Sequence, residues 1–124
     1  MQTILTDFYT LESHEKTNNG GFIANIKLNQ NHDIFNGHFP GNPVTPGVCM
    51  MQIVKELTEG FIGRKLFLKS ASNVKFMAII NPFETPELAL KLDIAESETE
   101  IKVKNITSFG ETIALKMSVN YIKI

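Results

Sequence analysis

The chain has no tryptophan and only one cysteine, Cys49, in 124 residues. A lone thiol excludes an intramolecular disulfide and a thiolate metal cluster built within one chain. An excess of either charge is also missing. Twelve Lys and Arg stand against 13 Asp and Glu, a formal net charge of −1. This balance removes the electrostatic basis for general nucleic-acid binding. Long apolar runs are absent too. The longest is residues 76–80, far below the ~20 residues a membrane-spanning helix needs. The first seven residues place no basic flank before an apolar stretch, so a cytoplasmic protein without a secretory leader is expected. What remains is an ordinary globular composition, 43% hydrophobic and 20% charged, which argues against disorder. A chain this long buries about two-thirds of its unfolded surface. One domain over residues 1–124 is expected.

Periodicity organises the chain. Asn18, Asn19, Gly20 and Gly21 form a turn signal, because Asn and Gly tolerate positive φ. After it, Phe22, Ala24, Ile26 and Leu28 alternate with Ile23, Asn25, Lys27 and Asn29, which predicts a strand with one buried face. Residues 8–14 would be its hairpin partner. Residues 30–47 hold most of the prolines and several glycines, so neither a regular helix nor a central strand is expected there. A long structured loop in a small domain is often functional.

A helix is expected to start at Thr45 and Pro46, with Thr as N-cap and Pro in the first helical position. Residues 48–54 are apolar nearly all round, which predicts an enclosed front half. The later turns carry Lys55, Glu56, Thr58 and Glu59 and predict an emerging back half. Gly60 or Gly63 would end the helix. Beyond it, alternation predicts strands at residues 74–78, 88–94, 101–103 and 113–121, with breaks at 81–86, 96–100 and 109–111. One helix interrupting a mostly antiparallel sheet of five or six strands is an α+β arrangement in which a curved sheet wraps the helix.

The segment most informative about chemistry is residues 36–48. Pro40 and Pro43 bias the residues before them to extended conformations and stiffen the loop. The loop runs into the helix start at Pro46 and Gly47, where unpaired N–H groups carry partial positive charge. A histidine on a stiff loop beside such an N-terminus suits acid–base chemistry on a carbonyl compound. By spacing alone, His38 reads either as that base or as a surface turn histidine.

The string His38-Phe39-Pro40-Gly41-x-Pro43-x-x-Pro46-Gly47-Val48 resembles the signature of the 3-hydroxyacyl-acyl-carrier-protein dehydratases of fatty acid synthesis. It is also similar to that of related dehydratases of aryl polyene and flexirubin pathways. The likeness is concentrated in residues 36–62, with a weaker echo in Val74-Lys75-Phe76 followed by Pro82. It implies a hotdog fold, in which an antiparallel sheet wraps one long buried helix. It further implies a dimer, either a homodimer or a heterodimer with a related hotdog subunit, with active sites at the interface. The implied substrate is a pantetheine-linked acyl group on acyl carrier protein, and no metal or other cofactor is implied. His38 would take the C2 proton, and the Gly47 N–H would polarise the thioester carbonyl. Phe39 and Val48 would lie along the substrate.

One departure stands out. The family places Glu or Asp fourteen residues after the histidine, and here that position is Gln52. An amide donates and accepts hydrogen bonds but delivers no proton. The next polar residue near that face is Glu56. It lies about 40° around the helix and about 6 Å further along it. Glu56, directly or through Gln52 and a water, is one candidate for the missing acid; a solvated place beside Lys55 and Glu59 is the alternative. His38 could also return its own proton to the leaving hydroxyl, with Gln52 orienting that hydroxyl. A noncatalytic subunit of a heterodimer and a hotdog thioesterase are the other function classes.

Other residues carry weaker signals. Cys49 near the helix start reads as a nucleophile or, more simply, a small hydrophobe. His14 and His32 lack the spacing of metal ligands. Met50, Met51, Phe76 and Met77 read chiefly as core that also lines an acyl channel. Arg64, Lys65 and Lys69 read as a solvated face or an attraction for an acidic carrier.

Overall fold

The computed structural model describes residues 7–18, 20–37 and 44–124, and for residues 36 and 37 the backbone only. Two hairpin strands open the described chain, β1 (Tyr9–Lys16) and β2 (Gly21–Leu28). They turn through Gly20 at φ 78°, a conformation glycine adopts without cost. A short helix α1 (Asp33–Gly37) and the long helix α2 (Gly47–Ile62) follow. The strands β3 (Leu66–Phe76), β4 (Glu87–Glu96), β5 (Glu100–Phe109) and β6 (Thr112–Lys123) complete it. All six strands form one sheet in the order β1-β2-β4-β5-β6-β3, antiparallel at every pairing.

The alternating sequences become rows of neighbours on the buried face. Ala24 pairs with Leu90, Leu90 with Thr107, and Thr107 with Leu115. All four are fully buried. In the next row Leu92, Asn105 and Met117 do the same. Asn105 is tolerated there because its amide donates to the Lys91 carbonyl and its oxygen accepts from the Thr107 hydroxyl at 2.9 Å. Against this face α2 lays Cys49, Met50, Ile53, Val54, Leu57 and Thr58. Their spacing is one stripe of an α-helix, and the Thr58 hydroxyl is satisfied by the Val54 carbonyl at 2.8 Å.

Several expectations need correction. The proline-rich stretch does contain a helix, α1, since residues 33–37 precede the first proline and can form one short turn. It sets Phe35 into the core, stacked at 5.2 Å on Phe8. The N-cap of α2 is Pro46, with φ −61° and ψ 142° and no side-chain cap, so Gly47 is the first helical residue. Thr45 is instead buried, and among the described residues its hydroxyl has no hydrogen-bond partner. The front half of α2 is not enclosed within the chain: Val48 is 67% exposed. Phe76 and Met77 are exposed rather than core. The strand expected at residues 74–78 is longer and earlier. β3 begins at Leu66 and is exposed at every residue after it. Two register irregularities interrupt its pairing with β6, and Asn73 within the second takes φ 52°.

The far end of α2 stops at Gly63, whose φ of 73° is left-handed and whose N–H bonds the Glu59 carbonyl. Gly60 lies inside the helix, with open space where a side chain would go. The two glycines therefore respond oppositely to alanine. Gly63→Ala is expected to lower unfolding free energy by about 1 kcal/mol. Gly60→Ala is expected to raise it by about 1 kcal/mol. Urea denaturation of both variants checks the pair of signs.

Candidate active site

The start of α2 is built by sequence-local constraints. Pro46 cannot continue a helix backwards, and its carbonyl accepts from the Cys49 N–H at 3.0 Å. The Gly47 and Val48 amides precede the first intrahelical donor and have no carbonyl within the helix to bond. A bond from the Thr45 N–H to the Ile80 carbonyl, 2.9 Å, ties this approach to the segment after β3. An apolar cleft of about 260 Å³ meets it, lined among others by Val44, Gly47, Phe76 and Ile79. Gly47 lies close against the exposed Phe76 ring, which would have to move to admit a side chain. A Cβ there would lie 2.6 Å from Cζ of Phe76.

A second groove, about 410 Å³, runs between α2 and β3. Val48, Met51, Gln52 and Lys55 form one wall, and Phe67 and Leu68 stand on the other. Gln52 brings a neutral polar group into it. Its Nε2 donates to Glu56 Oε2 at 3.0 Å. Glu56 Oε1 accepts from the Tyr9 hydroxyl at 3.0 Å. Glu56 is thus half-buried between β1 and its own helix, not out on a solvated flank. Burial, reinforced by the Glu56 charge and this hydrogen bond, pushes the Tyr9 phenol well above its usual range, so it stays a donor. The neighbouring carboxylate is used differently. Glu59 pairs with Lys55 at 3.3 Å and accepts from the Leu66 N–H at 2.8 Å, anchoring the start of β3.

Of the residues singled out by sequence, Gly47, Val48 and Gln52 line the two openings around the front of α2, and Glu56 backs Gln52. His38 and Phe39 lie outside the described residues. Tyr9 was not legible as a site residue. It is 47 positions from Glu56, and nothing in its neighbourhood marks it. Only the packing of the first strand beside the helix brings it there. Cys49 is 7% exposed and burial pushes its thiol up, which suits a small hydrophobe and not an activated nucleophile. Arg64 donates to the Ile124 carbonyl, and Lys69 pairs with Glu100 at 3.1 Å. Among the described residues no helix is long and apolar enough to cross a membrane.

A sheet of this order laid on one long helix defines the class of protein as a hotdog fold, and solved structures agree. The chain superposes on a subunit of the dehydratase heterocomplex ApeI:P from Xenorhabdus doucetiae with a TM-score of 0.73, covering 91% of this chain and 96% of that one at 20% identity. A hypothetical thioesterase of Streptococcus pneumoniae, solved with coenzyme A, gives 0.68 at 12% identity, covering 97% and 90%. At such identities these likenesses show the fold. The family is shown by sequence. The ApeI-like model, described as ApeI dehydratase, matches residues 12–114, and the chain belongs to that family. Curated relatives include the 3-hydroxyacyl-acyl-carrier-protein dehydratase FabZ of Latilactobacillus sakei, 32% identical over 99 residues, 74% of this chain and 65% of that protein. The FabZ of Levilactobacillus brevis is 29% identical over 106 residues, 79% and 69% of the two chains. The matches thus span about two-thirds of the relatives' length.

The raised Cys49 thiol sets an expectation for its chemistry. At neutral pH the folded protein should react with iodoacetamide about tenfold or more slowly than the urea-unfolded chain, because less thiolate is present and the sulfur is buried. Mass spectrometry of time points in both states checks it.

Proposed function

We propose that the protein dehydrates a 3-hydroxyacyl thioester carried on acyl carrier protein to the trans-2-enoyl thioester, in the cytoplasm, within one domain. The observation that carries this is the junction at Pro46 and Gly47. There, the His-Phe-Pro-Gly motif of an ApeI-like chain leads into a helix start whose first amides have no carbonyl within the helix to bond, beside an apolar cleft. His38 removes the C2 proton, and the electrons move onto the thioester oxygen. The Gly47 N–H stabilises that charge, as a preorganised donor does without reorientation. Collapse of the enolate forms the C2–C3 double bond and breaks the C3–O bond. The imidazolium returns its proton to the leaving oxygen, giving water. Gln52 holds that oxygen, and Glu56 holds Gln52. An imidazole, with an ordinary pKa of about 6.5, suits both halves of this transfer.

A second hotdog subunit completes the site in this proposal. Val48, Phe67, Phe76, Met77 and Ile79 are all more than half exposed, along the start of α2, β3 and the segment after it. Each large apolar side chain gains about 1.5–3 kcal/mol when fully covered. Among the described strands β3 is also at an edge of the sheet, where a further strand can pair. The groove at Gln52 would then receive His38 of the partner subunit. Phe39 and Val48 would line the acyl chain, and Lys65, with the paired Arg64 and Lys69, would face the acidic carrier. Gln52 in the place of the family acid favours a second reading, a heterodimer in which the companion subunit supplies a carboxylate. The fold neighbour from a dehydratase heterocomplex lends it support. A thioesterase role has only the fold on its side.

The test is mass spectrometry of the acyl group after incubation with a 3-hydroxyacyl carrier substrate, for the chain alone and with a related hotdog subunit. Loss of water from the bound acyl group is expected, with His38→Ala lowering the rate about 100-fold or more. Product only in the mixture assigns the heterodimer. Free acid assigns a thioesterase, and no product in either sample ends the proposal.

A further inference from the structure

The Glu56 carboxylate is bracketed. Tyr9 donates to one oxygen and Gln52 to the other, each at 3.0 Å. A carboxylate offers only acceptors, so these two bonds fix its plane and fix which end of the Gln52 amide faces it. The amide nitrogen is therefore committed to Glu56. Gln52 lines the groove, so its carbonyl oxygen and second N–H remain available to a ligand there. The other residues lining that groove are apolar except Lys55, which is paired with Glu59, and Tyr121, which is only 1% exposed. A hydroxyl carried into an apolar groove needs a partner to offset its lost hydration. An amide already held in one orientation provides it without reordering.

We propose that Tyr9 is a positioning residue: through Glu56 it fixes the Gln52 amide so that this amide binds the hydroxyl of the acyl substrate. Tyr9 comes from β1, at the opposite end of the sheet from β3. The orientation of a group in the groove is thus set from outside the groove. Removing the phenol oxygen leaves Glu56 Oε1 without its donor and lets the carboxyl turn. Gln52 then loses the fixed acceptor that selects its orientation. The charge of Glu56 never has to enter the groove.

The inference rests on the dehydratase function proposed above, but one of its readouts does not. The Gln52 side-chain amide pair is observed by NMR in the 15N-labelled protein, assigned by its loss in Gln52→Ala. Tyr9→Phe keeps the ring and is expected to move this pair toward the shifts of a free glutamine. Glu56→Gln breaks the chain from its other side and is expected to do the same. A Gln52 signal unmoved by Tyr9→Phe overturns the proposal. In turnover of a 3-hydroxyacyl carrier substrate, Tyr9→Phe is expected to lower kcat about tenfold with KM within about twofold. In the Gln52→Ala background the same change is expected to cost nothing more, because the two residues act in series. An equal loss in both backgrounds marks Tyr9 as merely structural and also overturns the proposal. Should the unaltered protein yield no enoyl product with any subunit, the dehydratase function fails, and the NMR readout alone decides whether Tyr9 positions Gln52.

Discussion

Burial of a single stripe of α2 is the constraint from which the rest of the molecule follows. Cys49, Met50, Ile53, Val54, Leu57 and Thr58 are taken out of water by the sheet. At roughly 0.8 kcal/mol per methylene, this is the largest favourable term the helix has. Once that stripe is fixed, so is the azimuth of every other residue on the helix. Gln52 and Glu56 fall on one flank, where β1 can reach the second of them. Val48 falls outward. Lys55 and Glu59 fall where Glu59 can seize the first amide of β3. Register between helix and sheet, rather than any loop, decides what faces the groove.

The same constraint explains where polar groups are tolerated. Buried oxygens and amides in the sheet are closed among themselves, as in the Asn105–Thr107 pair, because an unmet partner in the core costs about 1–3 kcal/mol. Glu56 follows that rule from the flank, with a donor on each oxygen. Thr45 breaks it: among the described residues its buried hydroxyl has no partner. That exception lies next to the proposed reacting centre, and no other buried side-chain nitrogen or oxygen of the described residues is left without one.

Legibility in the sequence tracked burial on one face. Leu88, Leu90 and Leu92 alternate because only one side of β4 meets the core, and Ile101 with Val103 and Leu115 to Tyr121 do the same. β3 was half hidden because its residues after Leu66 are exposed on both faces, which removes the period-two signal. Phe76 and Met77 read as core in the sequence but are exposed, since hydrophobicity does not say which partner covers a residue. α1 was hidden because the prolines beyond it dominated the composition of the segment. Pro46 at the N-cap displaced Thr45 from the role its chemistry suggests, since an extended ψ of 142° suits the cap position itself. At the candidate site, Gln52 is legible through the family resemblance and Glu56 through its helical spacing from Gln52. Tyr9 is not, because its contact depends on a tertiary approach that no local pattern encodes.

The exchange of acid for amide at position 52 has a consequence for the proposed proton path. A carboxylate facing the imidazolium would hold the captured proton there, since an opposite charge within about 4–6 Å favours the charged form. An amide exerts no such pull. On the proposed path, with Gln52 in the groove and the Glu56 charge set one turn back, tied by Tyr9 and Gln52, the imidazolium would be the stronger acid. A stronger acid is what a residue needs if it must give up to the leaving oxygen the proton it has just taken from carbon. A neutral group also costs less to enclose than a carboxylate when a second subunit closes the groove. On that proposal, an amide in place of the acid and a single-histidine proton path would be two sides of one electrostatic choice, with the carboxylate behind Gln52 held by the Tyr9 hydroxyl of the sheet.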